Sequence, residues 1–174
     1  MKTLVLGSLV GLCLLASAGT APAATITFNA FLSGLGENPP NASPATGFGV
    51  VVLDDVAMTI KVDESWTGLT APATASHIHT APVGVNGPVT FPFSGVPAAT
   101  SGAIPEQVFS ITLAQITTLE AGGMYMNIHT AVYPGGEIRG QLQQVSAVPV
   151  PAAAWTGLST LAGLAGLRLF RRRR

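Results

Sequence analysis

From Thr25 onward the chain alternates apolar and polar residues with a period of two. That pattern fits a half-buried β-strand and fits a helix poorly. Ile26 and Phe28 alternate with Thr25, Thr27 and Asn29. Met58, Ile60 and Val62 alternate with Thr59, Lys61 and Asp63, and Ile138 and Leu142 with Glu137, Arg139, Gln141 and Gln143. Phe48–Leu53 is a mostly apolar run suited to a buried strand. Between these runs lie clusters of turn-forming residues such as Gly36–Pro44 and Ala81–Pro88. One segment breaks the pattern. Across Thr112–Gly122, Thr112 and Gln115 have capping-box spacing, Leu113, Ile116 and Leu119 share a helical face, and Gly122-Gly123 can end the helix. The strand Met124–His129 follows. The expectation is an all-β domain of about seven or eight short strands with one short helix, in an antiparallel sandwich or Greek-key barrel.

The two ends differ from this domain. Only 9% of the chain is charged, yet the excess apolar content sits in two blocks, Leu4–Ala18 and Ala152–Phe170. Lys2, the apolar run Leu4–Leu15 and the small residues ending in Ala21-Pro22-Ala23 have the anatomy of a signal peptide. Cleavage by signal peptidase is expected after Ala23 or Ala24. At the other end, Val148-Pro149-Val150-Pro151 is a stiff, extended stretch, and Ala152–Leu167 carries no charge before the chain closes on Arg171–Arg174. About 19 residues at about 1.5 Å each reach about 30 Å, enough to cross a hydrocarbon core. The arginines would stay in the cytoplasm and leave the β domain outside. The expected parts are a signal peptide (1–24), a β domain (25–145), a proline-containing linker (146–151), a hydrophobic helix (152–170) and an arginine cluster (171–174).

These ends also hold nearly all the positive charge. Between residues 25 and 148 only Lys61 and Arg139 are basic, against all eight acidic residues of the chain. A domain with that balance repels phosphate backbones, which argues against nucleic acid as a partner. The only cysteine, Cys13, falls in the leader, so the exported domain would rely on its core and not on disulfides. No Ser-His-Asp spacing, phosphate loop or cysteine nucleophile is visible.

All three histidines lie in two segments that echo each other, Ser76-His77-Ile78-His79-Thr80-Ala81 and Met126-Asn127-Ile128-His129-Thr130-Ala131. In a strand, residues two apart face the same side, so His77 and His79 oppose Ile78, and Tyr125, Asn127 and His129 oppose Met124, Met126 and Ile128. If the two strands are neighbours, the three imidazoles converge. Such a set suits Zn²⁺ or Cu²⁺ with a fourth position open to water or a carboxylate. The same histidines also fit ordinary polar strand positions bonded to nearby turns. Glu137 and Arg139, on one strand face past the His129 turn, are candidates for a further ligand or a hydrogen bond to a histidine. Glu37, ahead of a Pro-Pro pair, is a third.

Two resemblances add to this reading. The sequence of a short proline motif (Val148, Pro149, Val150, Pro151), a Trp155-containing apolar helix and a terminal arginine cluster resembles the PEP-CTERM class of sorting signals, in a Val-Pro-Val-Pro-Ala-Ala variant. That resemblance implies a Gram-negative bacterium and an exosortase-like transpeptidase as partner. It also implies transient anchoring in the cytoplasmic membrane through the C-terminal helix, and a destination at the outer surface or in the extracellular matrix. The stretches "SGLGENPP", "ATASHIHTAPVGVNGPV" and "LEAGGMYMNIHTAVYPGGEIRGQL" resemble the CHRD domain, named after chordin, from about Ala30 to Leu142. That resemblance implies an immunoglobulin-like or superoxide-dismutase-like β-sandwich and no settled activity. Two functions of different class follow. One is a non-enzymatic surface or matrix module, which would have a surface or matrix polymer for company. The other is a mononuclear Cu or Zn protein using His77, His79 and His129, with redox chemistry open to it.

Overall fold

The computed structural model describes residues 25–145; the expected signal peptide, cleavage site, sorting motif and hydrophobic helix lie outside them. Among the described residues no helix is long and apolar enough to cross a membrane. The strands are β1 (Thr25–Ser33), β2 (Thr46–Asp54), β3 (Thr59–Thr67), β4 (Ala73–Thr80), β5 (Val89–Pro92), β6 (Gly102–Ser110), β7 (Met124–Thr130), β8 (Ile138–Gln141) and β9 (Gln143–Gln144). A short helix, α1 (Leu113–Glu120), precedes β7. The expected all-β architecture is present. Its strand count is slightly higher because β5 spans only four residues, too few for alternation to register, and the alternating run at 137–143 divides into β8 and the two-residue β9.

The strands form one antiparallel sheet in the order β5-β4-β7-β8-β1-β2-β3-β6, with β9 also on β1. The sheet folds over at the β8–β1 joint, where a single pair, Ser33 with Arg139, holds the register. Two four-stranded halves therefore face each other. β1, β2 and β3 pair without a break along nine residues each, and β6 shifts register on β3 between Val62 and Glu64. The open edges, β5 and β6, each carry a proline (Pro92, Pro105) and so resist pairing with other chains. They also approach each other. The Gln107 side chain accepts from the Ser94 amide at 3.0 Å and donates to the Ser94 carbonyl at 2.9 Å, standing in for a strand. Phe109 packs against Phe91 and Phe93 beside it, with ring centroids 5.4 and 6.1 Å away.

The period-two pattern determines which side chains fill the space between the halves. Phe28, Ala30 and Leu32 of β1, Val51 and Leu53 of β2, and Ile60, Val62 and Trp66 of β3 meet Ile78 of β4, Met124, Met126 and Ile128 of β7, and Ile138 of β8. The fit is close at β2, where the Met126 thioether occupies the space a side chain on Gly49 would need. Helix α1 forms with both halves of the expected capping box, Thr112 and Gln115. It buries Ile116 and Leu119 only; Leu113, expected on the same face, is 71% exposed because a helix this short lifts its first turn past the edge of the core.

The inner face contains one carboxyl group, Glu64 on β3, 2% exposed. The Ser76 hydroxyl lies against its Oε2 and also 2.9 Å from the Asn127 carbonyl. One hydroxyl hydrogen cannot serve both acceptors. A neutral Glu64 resolves the conflict by donating to Ser76, which then donates to Asn127. Burial pushes the Glu64 carboxyl up to about 8, opposed by the Ser76 hydrogen bond.

In the unfolded chain this carboxyl ionises near 4.5. The stability it contributes is therefore complete below that pH and is lost as the pH climbs through about 8. Glu37, pushed up to about 7, acts in the same direction. Denaturant melts between pH 5 and 8 should show stability falling for the native chain and falling less for Glu64→Gln, whose amide can still donate to Ser76. Parallel curves for the two proteins would contradict this account of Glu64.

Candidate metal centre

β4 and β7 are antiparallel neighbours, with His77 opposite Asn127, His79 opposite Tyr125, and His129 opposite Ala75. Inward-facing Ser76, Ile78, Met126 and Ile128 fix this register, because a shift by one residue would turn them outward. The pairing brings the three histidines together as the alternation implies: one ring nitrogen from each lies within 4.8 Å of the others. His77 Nδ1 and His129 Nε2 are 3.2 Å apart. Ring centroids are 5.0 Å apart for His77–His129 and 5.5 Å for His77–His79, both edge-on.

Hydrogen bonds to backbone carbonyls set the tautomers. His79 Nδ1 lies 2.9 Å from the Gly87 carbonyl and His129 Nδ1 lies 3.0 Å from that of Pro134. A carbonyl can only accept, so both Nδ1 atoms carry hydrogen and each neutral ring keeps its lone pair on Nε2. His79 Nε2 is buried and has no partner. This is the arrangement metal-binding histidines adopt, with one nitrogen anchored and the other free. Burial pushes His77 down to about 4, helped by the imidazoles of His129 and His79. Burial also lowers His129, against the pull of the Pro134 hydrogen bond. Both rings are thus neutral near pH 7, the state in which imidazole binds metal.

The face opposite the core is covered at this point, which alternation alone does not reveal. Tyr125 is 3% exposed and Asn127 2%. The Tyr125 ring stacks on His79 at 4.8 Å and 6° between planes. On its other side the Arg139 guanidinium lies 3.3 Å from the Tyr125 centroid. Arg139 is tied down by the segment between β4 and β5, through Asn86 Oδ1 at 3.1 Å and the Val85 carbonyl at 2.8 Å. The Gly87 amide donates to the Tyr125 hydroxyl at 3.3 Å, and the Gly87 carbonyl holds His79. One loop therefore fixes the guanidinium, the phenol and the imidazole together.

The three accessory candidates have separate placements. Arg139 reaches the histidines only through Tyr125. Glu37, 7% exposed, sits beside Asn127 and Arg139; burial raises it to about 7, while Arg139, the Asn38 backbone and the Asn127 side chain pull the other way. Gly136, at φ +133, leaves room for its carboxyl. A cleft of about 460 Å³ between the Glu37–Asn41 loop and the Val132–Gly136 turn is lined by Glu37 and by none of the histidines. Glu137 is fully buried and bonds elsewhere. Its Oε1 accepts from Ser43 Oγ and the Thr70 amide, both at 2.7 Å, and its Oε2 from Thr70 Oγ1 at 3.0 Å and Thr130 Oγ1 at 2.7 Å. It stitches two loops to the end of β7 and is not a histidine partner. Asn127 and Tyr125 escaped the sequence reading as site residues. The signal for Asn127 was its place on the same strand face as His129, two residues earlier.

Residues 28–142 match the CHRD domain. The chain belongs to the CHRD-domain family. CHRD domains are modules generally found in extracellular proteins, and this one accounts for β1 from Phe28 through Leu142. No curated protein and no solved structure matches the chain.

Burial pushes the Glu137 carboxyl up, but hydrogen bonds from Ser43, Thr130 and Thr70 outweigh it and hold the group below 4.5. Its contribution is therefore present above 4.5 and lost as the pH falls through the lower folded value. Glu137→Gln should cost about 1–3 kcal/mol at pH 7, because an amide hydrogen then faces hydroxyl donors. Urea melts should show that gap shrinking as the pH falls below 4.5 and the contribution of the ionised carboxyl is lost. Equal stability at pH 7 would remove Glu137 from this role.

Proposed function

We propose that this CHRD protein is an exported, non-enzymatic surface or matrix module whose functional site is a mononuclear metal centre, taking Zn²⁺ or Cu²⁺ on His77, His79 and His129. The observation that carries the metal reading is the convergence of one nitrogen from each ring to within 4.8 Å. Around a tetrahedral ion with bonds of about 2.0–2.1 Å, ligand atoms sit roughly 3.3 Å apart. His77 Nδ1 and His129 Nε2 already have a 3.2 Å separation, so a small inward turn of His79 completes the set. The unpartnered His79 Nε2 and the anchored Nδ1 atoms support the same reading. So does the domain's excess of acidic residues, which draws cations towards it.

Export rests on separate support: family membership, the leader ending at Ala23 or Ala24, and the tail. In this reading signal peptidase removes residues 1–24, and the hydrophobic helix 152–170 holds the protein in the membrane. An exosortase-like enzyme then acts near Val148-Pro149-Val150-Pro151, releasing the domain to a surface or matrix polymer.

Untagged protein, equilibrated with Zn²⁺ or Cu²⁺ and freed of excess metal, should retain close to one equivalent by elemental analysis. His129→Ala should weaken binding by at least tenfold in competition with a chromophoric chelator. A stoichiometry near zero, unchanged by His129→Ala, would overturn the metal reading.

A further inference from the structure

Besides the three imidazoles, one more side-chain atom with lone pairs reaches the mouth of this site. Asn127 Oδ1 lies 3.1 Å from His129 Nε2. Because the Pro134 carbonyl holds the hydrogen of His129 on Nδ1, the neutral ring offers only a lone pair at Nε2. Two acceptors then face each other at hydrogen-bond distance with no hydrogen between them. A cation shared by both turns that repulsion into a pair of bonds, and 3.1 Å is close to the spacing of adjacent ligands on one ion.

Reversing the Asn127 amide would offer Nε2 a donor, but the surroundings favour the orientation seen. The space that a side chain on Gly136 would fill is occupied by the Glu37 carboxyl and by Asn127 Nδ2, so the amide nitrogen faces a carboxyl and the amide oxygen faces the imidazoles. Glu37 is buried, with Oε1 lacking a partner, and an amide N–H is what such an oxygen needs. The strand register does the rest. Asn127 sits opposite His77 and two residues before His129, so its oxygen emerges on the side where both imidazoles emerge.

We infer that the Asn127 side-chain oxygen is the fourth ligand of the ion held by His77, His79 and His129, and that Glu37 is the positioning residue that aims it. This rests on the metal reading above. The resulting donor set, three imidazole nitrogens and one hard carbonyl oxygen, suits Zn²⁺ or Cu²⁺ and disfavours Cu⁺, which prefers sulfur ligands.

The test uses the full chain titrated with Zn²⁺ and, as a spectroscopic stand-in, Co²⁺. Three variants are compared with the native protein: Asn127→Ala, Asn127→Asp and Glu37→Gln. Asn127→Ala should lower Zn²⁺ affinity roughly tenfold or more and shift the visible Co²⁺ bands as water replaces the amide oxygen. Asn127→Asp keeps an oxygen in place and should bind at least as tightly as the native chain, with its own Co²⁺ spectrum. Glu37→Gln should give a smaller loss in affinity and a spectrum displaced towards that of Asn127→Ala.

Far-UV circular dichroism establishes which variants fold. A folded Asn127→Ala with native affinity and a native Co²⁺ spectrum overturns the assignment. If Asn127→Ala does not fold, an Asn127→Asp protein indistinguishable from native in both readouts overturns it equally. A native chain that binds neither ion defeats the metal reading and this inference together, whereas native binding with silent Asn127 variants defeats this inference alone.

Discussion

The antiparallel pairing of β4 with β7 is the constraint on which the site depends, because it alone brings residues 77–79 beside residues 125–129. That register is not held by the histidines. It is held from the core side, where Ser76, Ile78, Met126 and Ile128 are each completely buried and Met126 fills the space above Gly49 on the opposite half. Slipping the pair by one residue would bring two imidazoles into the core and expose its apolar side chains, so packing on one face dictates the geometry of the other. The polar chain from Glu64 through Ser76 to the Asn127 carbonyl adds a link across the two halves at the same level.

On the outer face, precision comes from polar contacts that stack in layers. Arg139 lies on Tyr125 and Tyr125 on His79, while the loop carrying Val85, Asn86 and Gly87 holds all three. His129 is anchored separately by the turn that ends in Pro134. His79 and His129 are thus aimed by backbone carbonyls, and His77 meets the His129 ring. His77 and His129 stay neutral near pH 7, and neutral imidazole is the form that binds a divalent ion. Glu137 supports this indirectly. It fixes Thr130 at the end of β7 to the loops at Ser43 and Thr70, and so holds the strand that carries His129.

Much of this was legible in the sequence. Alternation at residues 25–29, 58–63 and 124–129 implied the sheet, and the parity of His77, His79 and His129 against their apolar neighbours implied convergence once two strands were adjacent. Thr112 and Gln115 announced the helix. What alternation cannot report is the covering of a face by loops. Tyr125, Asn127 and Arg139 read as outward-facing polar positions, yet each is nearly fully buried because the segment between β4 and β5 and the Glu37 loop fold over them. Glu137 shared a face with Arg139 in the pattern and still bonds to a different set of partners, since it precedes the first residue of β8 and its direction is set by the turn. Glu64 hid in an alternating run as an inward residue whose burial only its Ser76 partner explains.

The central claim is that His77, His79 and His129 form one metal centre. X-ray absorption at the zinc edge of the zinc-loaded, untagged protein tests it most directly. The account predicts a four-coordinate ion with three imidazole ligands at about 2.0–2.1 Å and the outer-shell scattering that imidazole rings produce. A spectrum fitted by oxygen ligands alone, without imidazole scattering, would contradict it.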